Sequence, residues 1–175
     1  PVSIGAITLR QRFNVVATEE NPDQAYPLSD KRQHTNFVAG WTLGSIRQLS
    51  MAGAAYATYF ETTGPRGLTD PKSSAAGSFP LIHLFKELLD GHTTEMLPTE
   101  SSHPLILDGL MLKGRNGYRL LLVNHTDSQL IVNLHIPGIS PRSFHLLDKT
   151  GWSHLPPQEL QAYPMKPESI YKICF

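Results

Sequence analysis

Glu61, Thr62, Thr63 and Gly64 follow directly on residues 54–60, AAYATYF, in which small residues alternate with aromatics. That run has the composition of a strand. A parallel β/α sheet carries its chemistry at the carboxyl ends of its strands, so a carboxylate here stands where a reacting group would. A Glu so placed can draw a proton from a water beside a carbonyl. The same carboxylate can instead be structural, paired with Arg66 or Arg12. Arg12 and Asn14 close the first strand-like region. A guanidinium there can hold a carboxylate through two hydrogen bonds, and an amide can bind a hydroxyl or carbonyl. Loop anchoring accounts for that pair equally well. Thr62, Thr63 and Arg66 complete the candidate substrate contacts, although turn chemistry alone also explains Thr beside Gly.

Other chemistries have less behind them. Eight His residues are present, and His125, His135, His145 and His154 fall late in the chain at wide spacing. No HxH or HExxH pair occurs, so no metal site is marked and none is expected, nor is any cofactor. Ser45 and Ser50 lack the GxSxG elbow of a serine hydrolase. Trp41, Tyr56, Tyr59 and Phe60 could stack on a sugar, but their periodicity suits core packing better.

The elements that must position Glu61 are legible. Residues 2–13 supply one or two short strands. Ser29 or Asp30 reads as a helix cap, and Phe37, Val38, Trp41, Leu43, Ile46 and Leu49 repeat at helical spacing to about Met51. Gly40 and Gly44 inside that helix imply a close approach to a sheet, since each otherwise costs ~1 kcal/mol. Gly53 is the stop, and residues 54–60 return as a strand. Strand, helix and strand make a right-handed parallel unit. A second helix covers residues 79–89, capped by Ser78, with Pro80 in its first turn and Gly91 beyond its end. After a linker at 98–103 come short strands at 105–107, 109–113, 118–123, 130–136, 143–147 and 169–175. Arg115-Asn116-Gly117 reads as a type I′ hairpin turn.

The expected organisation is α/β followed by all-β: residues 1–97 as parallel β/α units, residues 98–175 as an antiparallel β-sandwich. Two parallel strands and two helices cannot cover both faces of a parallel sheet. The missing strands are expected upstream of Pro1 or on a second chain, and the chain reads as a carboxyl-terminal fragment. With 15 Lys and Arg against 15 Asp and Glu, the formal charge is zero, which gives no case for nucleic acid or a membrane surface. The single cysteine, Cys174, excludes an internal disulfide framework and suits a cytoplasmic location.

Five segments carry a family resemblance: Leu9-Arg10-Gln11-Arg12-Phe13-Asn14, Gly40-Trp41-Thr42-Leu43-Gly44-Ser45, the run from Tyr59 through Glu61-Thr62-Thr63-Gly64 to Gly67, Phe79-Pro80-Leu81, and Arg119 to Asn124. They resemble the carboxyl-terminal part of the D-apionate lactonase family, over most of the chain to about Asn133. The resemblance implies the last units of a (β/α)8 barrel followed by a β-sandwich, from a hydrolase of a sugar-acid lactone in carbohydrate catabolism. The other catalytic groups would lie upstream, and the fragment alone would be inactive. The alternatives are a glycoside-hydrolase-like protein that acts on or binds carbohydrate, with the sandwich as accessory module, and a free-standing β-rich carbohydrate-binding module. Glu61 as catalytic base, with Arg12, Asn14, Thr62, Thr63 and Arg66 as substrate contacts, rests on position and chemistry.

Overall fold

The computed structural model describes residues 1–10, 29–72, 79–90 and 92–175. β1 (Val2–Ile7) and β2 (Ala54–Tyr59) pair in parallel, with Val2 opposite Ala54 and Ile7 opposite Tyr59. Helix α1 (Asn36–Met51) lies between them in the chain, giving the expected β/α/β unit. α1 begins later than a cap at Ser29 or Asp30 would place it, because Asp30 is not its cap. The Asp30 carboxylate instead accepts from the Arg32 N–H at 2.9 Å and from the Arg32 guanidinium at 3.0 Å, which curls residues 31–34 into a turn. Thr35 caps the helix, its hydroxyl accepting from the Phe37 N–H at 3.3 Å.

Two short strands follow β2: β3 (Glu61–Thr63) and β4 (Gly67–Thr69). Helix α2 (Pro80–Leu88) starts with Pro80 in its first turn and extended Phe79 as N-cap, without a side-chain cap. The expected cap Ser78 and stop Gly91 lie outside the described residues.

The rest is antiparallel. β5 (Thr93–Leu97), β6 (Leu107–Gly114), β7 (Gly117–Asn124), β9 (Ser143–Asp148), β10 (Gly151–Leu155) and β12 (Ile170–Cys174) form one six-stranded sheet in the order β10-β9-β12-β7-β6-β5. β8 (Leu130–Val132) and β11 (Tyr163–Met165) form a separate ribbon. The sheet thus starts at Thr93, ahead of the expected linker. The β6–β7 turn also differs from expectation. Positive φ falls on Gly117, at 119°, and not on Arg115 or Asn116, so the turn is not type I′. Gly117 is required there because a Cβ would lie 2.3 Å from the Phe175 carbonyl oxygen.

β7 explains the layering. Side chains alternate across a strand, so Leu121 and Val123 enter one core and Leu120 and Leu122 the other. The first core holds Val38 and Leu43 of α1 and Leu81, Leu84 and Leu88 of α2. The second holds Val132, Tyr163 and Met165 of the ribbon, with Phe144 and Tyr171 of the sheet. Gly40 and Gly44 allow α1 its close approach, but to the antiparallel sheet: a Cβ on Gly40 would sit 2.5 Å from Val123 Cγ2, and one on Gly44 3.4 Å from Asp108 Oδ2. Buried Arg47 of α1 pairs with Asp108 of β6 across the same interface, at 3.3 Å. The β1–β2 pair is far less covered, with Val2 63% and Tyr56 70% exposed.

Candidate functional site

β2 ends at Tyr59 because Phe60 takes a left-handed backbone, φ 54°. For a non-glycine residue that costs about 1–3 kcal/mol, and such strain gathers at functional positions. The conformation is held by surroundings. The Phe60 N–H donates to the Ile7 carbonyl at 3.1 Å, at the end of β1, and its ring packs near Trp41 and Tyr59 in the first core. With Phe60 anchored, Glu61 emerges at the carboxyl ends of both parallel strands.

A tight loop then returns Arg66 to Glu61. The Gly64 N–H donates to the Thr69 carbonyl at 2.7 Å and the Gly67 N–H to the Gly64 carbonyl at 2.9 Å. Buried Gln33, 3% exposed, donates its amide to the Arg66 carbonyl at 3.3 Å, tying this loop to the start of α1. Arg66 Nη2 stands 2.9 Å from Glu61 Oε1, and both side chains are part-exposed.

Glu61 and Arg66 line a cleft with Thr8 and Arg10, which follow β1, and with Asp30 and Gln33, which precede α1. Arg10 Nε lies 3.8 Å from Asp30 Oδ2. The Asp30 carboxyl is held down at about 2, chiefly by the hydrogen bond from the Arg32 guanidinium and then by the Arg32 N–H. The free space at the bottom of the cleft is about 20 Å³, on the scale of a single water. Two carboxylates and two guanidiniums therefore surround a water-sized space at the mouth of a parallel strand pair. That set can hold a water beside a base and can neutralise a developing oxyanion.

Of the residues expected from the sequence, the structure brings Glu61 and Arg66 together. Thr62 and Thr63 are exposed on β3. The Thr62 carbonyl accepts from the Thr69 hydroxyl at 3.3 Å, and neither threonine lines the cleft. Arg12 and Asn14 lie outside the described residues. Arg10, Asp30 and Gln33 were missed. Asp30 read as a cap, and nothing local signals that its turn sits over the strand ends. Trp41, Tyr59 and Phe60 pack in or against the core, and the Tyr59 hydroxyl is bonded to Ser45 at 2.8 Å. Among the described residues no three His, Cys, Asp or Glu side chains are grouped to hold a metal ion, and no helix is long and apolar enough to cross a membrane.

Comparisons with known proteins fit this architecture. No curated protein matches the chain. Among solved structures, a conserved exported protein from Bacteroides fragilis superposes with a TM-score of 0.60 at 10% identity, over 96% of this chain and 37% of its own. A glycoside hydrolase family 30 subfamily 8 xylanase from Clostridium acetobutylicum gives 0.60 at 6% identity, over 80% of this chain and 39% of its own. A family 30 endoxylanase from Clostridium papyrosolvens gives 0.55 at 10% identity, over 80% and 38%. At such identities the likeness is one of fold, and the chain spans less than two-fifths of each of these proteins. The sequence profile of the D-apionate lactonase TIM barrel domain matches residues 1–93, more than half of the chain. The chain belongs to the D-apionate lactonase family.

Proposed function

We propose that the intact protein hydrolyses a sugar-acid lactone such as that of D-apionate, with Glu61 as its base. The observation that supports this most is the position of Glu61: at the carboxyl end of β2, beside a water-sized space, in a chain of this family. Glu61 takes a proton from water while the water oxygen bonds to the lactone carbonyl carbon. The tetrahedral adduct collapses, the ring carbon–oxygen bond breaks, and Glu61 returns the proton to the leaving oxygen, giving the open hydroxy acid. Arg66, already 2.9 Å from Glu61, orients the carboxylate and places positive charge near the oxyanion. Arg10, which lines the same cleft, offers its guanidinium to the sugar hydroxyls, with Arg12 and Asn14 as further substrate contacts, whereas Thr62 and Thr63 stand outside the cleft.

The reading includes a barrel completed by strands outside residues 1–175, a two-layer sandwich made by the six-stranded sheet and the β8–β11 ribbon, and a cytoplasmic location. Uncovered Tyr56 on β2 supports the completed barrel, because parallel sheets are normally buried on both faces. Oxidative footprinting checks it: Tyr56 is protected in the longer polypeptide and reactive in residues 1–175, and equal reactivity counts against it. A second reading has its own support. The Glu61–Arg66 pair is also what a loop brace requires, and two fold neighbours are xylanases. In that reading the protein acts on or binds a polysaccharide. Titrating acid released from D-apionate lactone, against reducing ends released from xylan, separates the two. Acid release from the lactone alone supports the lactonase; reducing ends alone sink it.

A further inference from the structure

The turn that leads into α1 does more than start the helix. Asp30 and Gln33 are its two ends, joined by the Gln33 N–H, which donates to the Asp30 carbonyl at 3.0 Å, and the Asp30–Arg32 clamp keeps it closed. Both end residues line the cleft. The Asp30 carboxylate faces Arg10, and the Gln33 carboxamide faces the loop that carries Arg66. A single turn therefore reaches both arginines that line the cleft.

Gln33 is the unusual member. It is 3% exposed, and an amide so deeply buried costs stability unless its polar atoms are bonded. An apolar side chain of the same length would fill the space without that demand. The Gln33 Nε2 donates to the Arg66 carbonyl at 3.3 Å and lies 3.5 Å from the Gly67 carbonyl. Those carbonyls stand at the corner of a loop that is stiff within itself. The Thr69 hydroxyl donates to the Thr62 carbonyl across it, and a Cβ on Gly67 would lie 2.6 Å from the Thr63 carbonyl carbon. A stiff loop moves as a unit, so a hold at its Arg66 corner sets where the guanidinium stands. Arg66 Nη2 is 2.9 Å from Glu61 Oε1, and a shift of about 1 Å at the corner takes the pair out of hydrogen-bond range.

We propose that Gln33 is a positioning residue of the cleft, acting through Arg66 to hold the guanidinium against Glu61. Gln33 carries no charge and donates to backbone carbonyls, so it takes no proton and gives none. Its part is to fix the geometry in which Arg66 orients the carboxylate. That role follows from the cleft itself and holds for either functional reading; only the kinetic part of the test rests on the lactonase reading.

Gln33→Met keeps the side chain's length and removes the donor, and Gln33→Asn keeps the amide on a shorter stem. Trypsin cuts after Arg66 only when that segment opens, so the rate at the Arg66–Gly67 bond, followed by mass spectrometry on the intact protein, reads how firmly the corner is held. The rate at Lys113–Gly114, on β6, reads global opening. In Gln33→Met the first rate should rise by about fivefold or more with the second unchanged, and Gln33→Asn should fall between. Where Gln33→Met does not fold, Gln33→Asn carries the comparison. On D-apionate lactone, Gln33→Met should lower kcat by about tenfold with KM little changed, and should cost nothing further in the Arg66→Gln background. Equal cleavage at Arg66–Gly67 in the wild type and the variant overturns the proposal. So does an equal rise at both bonds, or a loss of kcat that is the same in both backgrounds, since each assigns Gln33 to overall stability. A wild-type protein without lactone turnover removes the lactonase reading and leaves the cleavage rates to decide the role of Gln33.

Discussion

Asp108→Ala tests how the β/α unit is fastened to the antiparallel sheet. Arg47 and Asp108 are 8% and 6% exposed, and no water-facing route relieves either charge once its partner is gone. Asp108 also accepts from the Gly109 N–H at 2.7 Å, while Arg47 keeps a second bond to the Thr99 carbonyl. Breaking a buried pair by removing one partner costs about 3–5 kcal/mol. The surviving Thr99 bond puts this case at the lower end, about 3 kcal/mol. For a chain of this length each kcal/mol moves the melting temperature by about 2–4 °C, so the expected fall is about 6–12 °C. Urea unfolding followed by tryptophan fluorescence is the assay, since Trp41 lies on α1 and Trp152 on β10 and the two report both sides of the junction. The midpoint should fall with the urea slope unchanged. The double variant Arg47→Met with Asp108→Leu should lose less than Asp108→Ala, because no buried charge is then left alone. A loss below about 1 kcal/mol in the single variant, or a double variant no better than the single, would show that the pair does not hold the interface.

Three further outcomes are expected. Gly40→Ala forces a methyl to 2.5 Å from Val123 Cγ2 and should destabilise by about 1–3 kcal/mol by overpacking; an unchanged urea midpoint would show that α1 has room to move. Tyr163→Phe removes a buried hydroxyl that has no hydrogen-bond partner among the described residues, and should leave stability equal or raise it by about 1 kcal/mol; a large loss in thermal unfolding would reveal a partner for that hydroxyl. The Asp148 carboxyl is held at about 2, chiefly by the Ser153 hydroxyl and then by the Thr150 hydroxyl and N–H. A lowered folded value means that its contribution is present above about pH 4 and is lost as pH falls toward 2. Asp148→Asn should therefore cost about 1 kcal/mol at pH 7, allowing for solvent screening, and only a small fraction of that near pH 2; urea midpoints at the two pH values decide it.

The parallel unit was legible because its signals are local and periodic: β-branched and aromatic runs for β1 and β2, a 3.6-residue repeat for α1 and glycines one turn apart on its packed face. The start of α1 was not, since Asp30 can cap a helix or close a turn, and the choice fell to the neighbouring Arg32. β5, β10 and β11 escaped because they are short and carry little apolar pattern; β11 even contains Pro164. At the candidate site, Glu61 could be found from the strand-end rule and Arg66 from proximity in sequence. Arg10, Asp30 and Gln33 arrive by tertiary folding alone, and the left-handed Phe60 is a conformation that no propensity of Phe predicts.

The most direct test of the central claim is the turnover of D-apionate lactone by the intact protein carrying Glu61→Gln. The change keeps the side chain's shape and removes its charge. If Glu61 is the base, turnover should fall by about a hundredfold or more, with the melting temperature nearly unchanged because the Arg66 pair is part-exposed and contributes little to stability. Undiminished turnover in Glu61→Gln would contradict the account, and a loss of activity that only tracks a loss of folded protein would assign Glu61 to the loop brace instead.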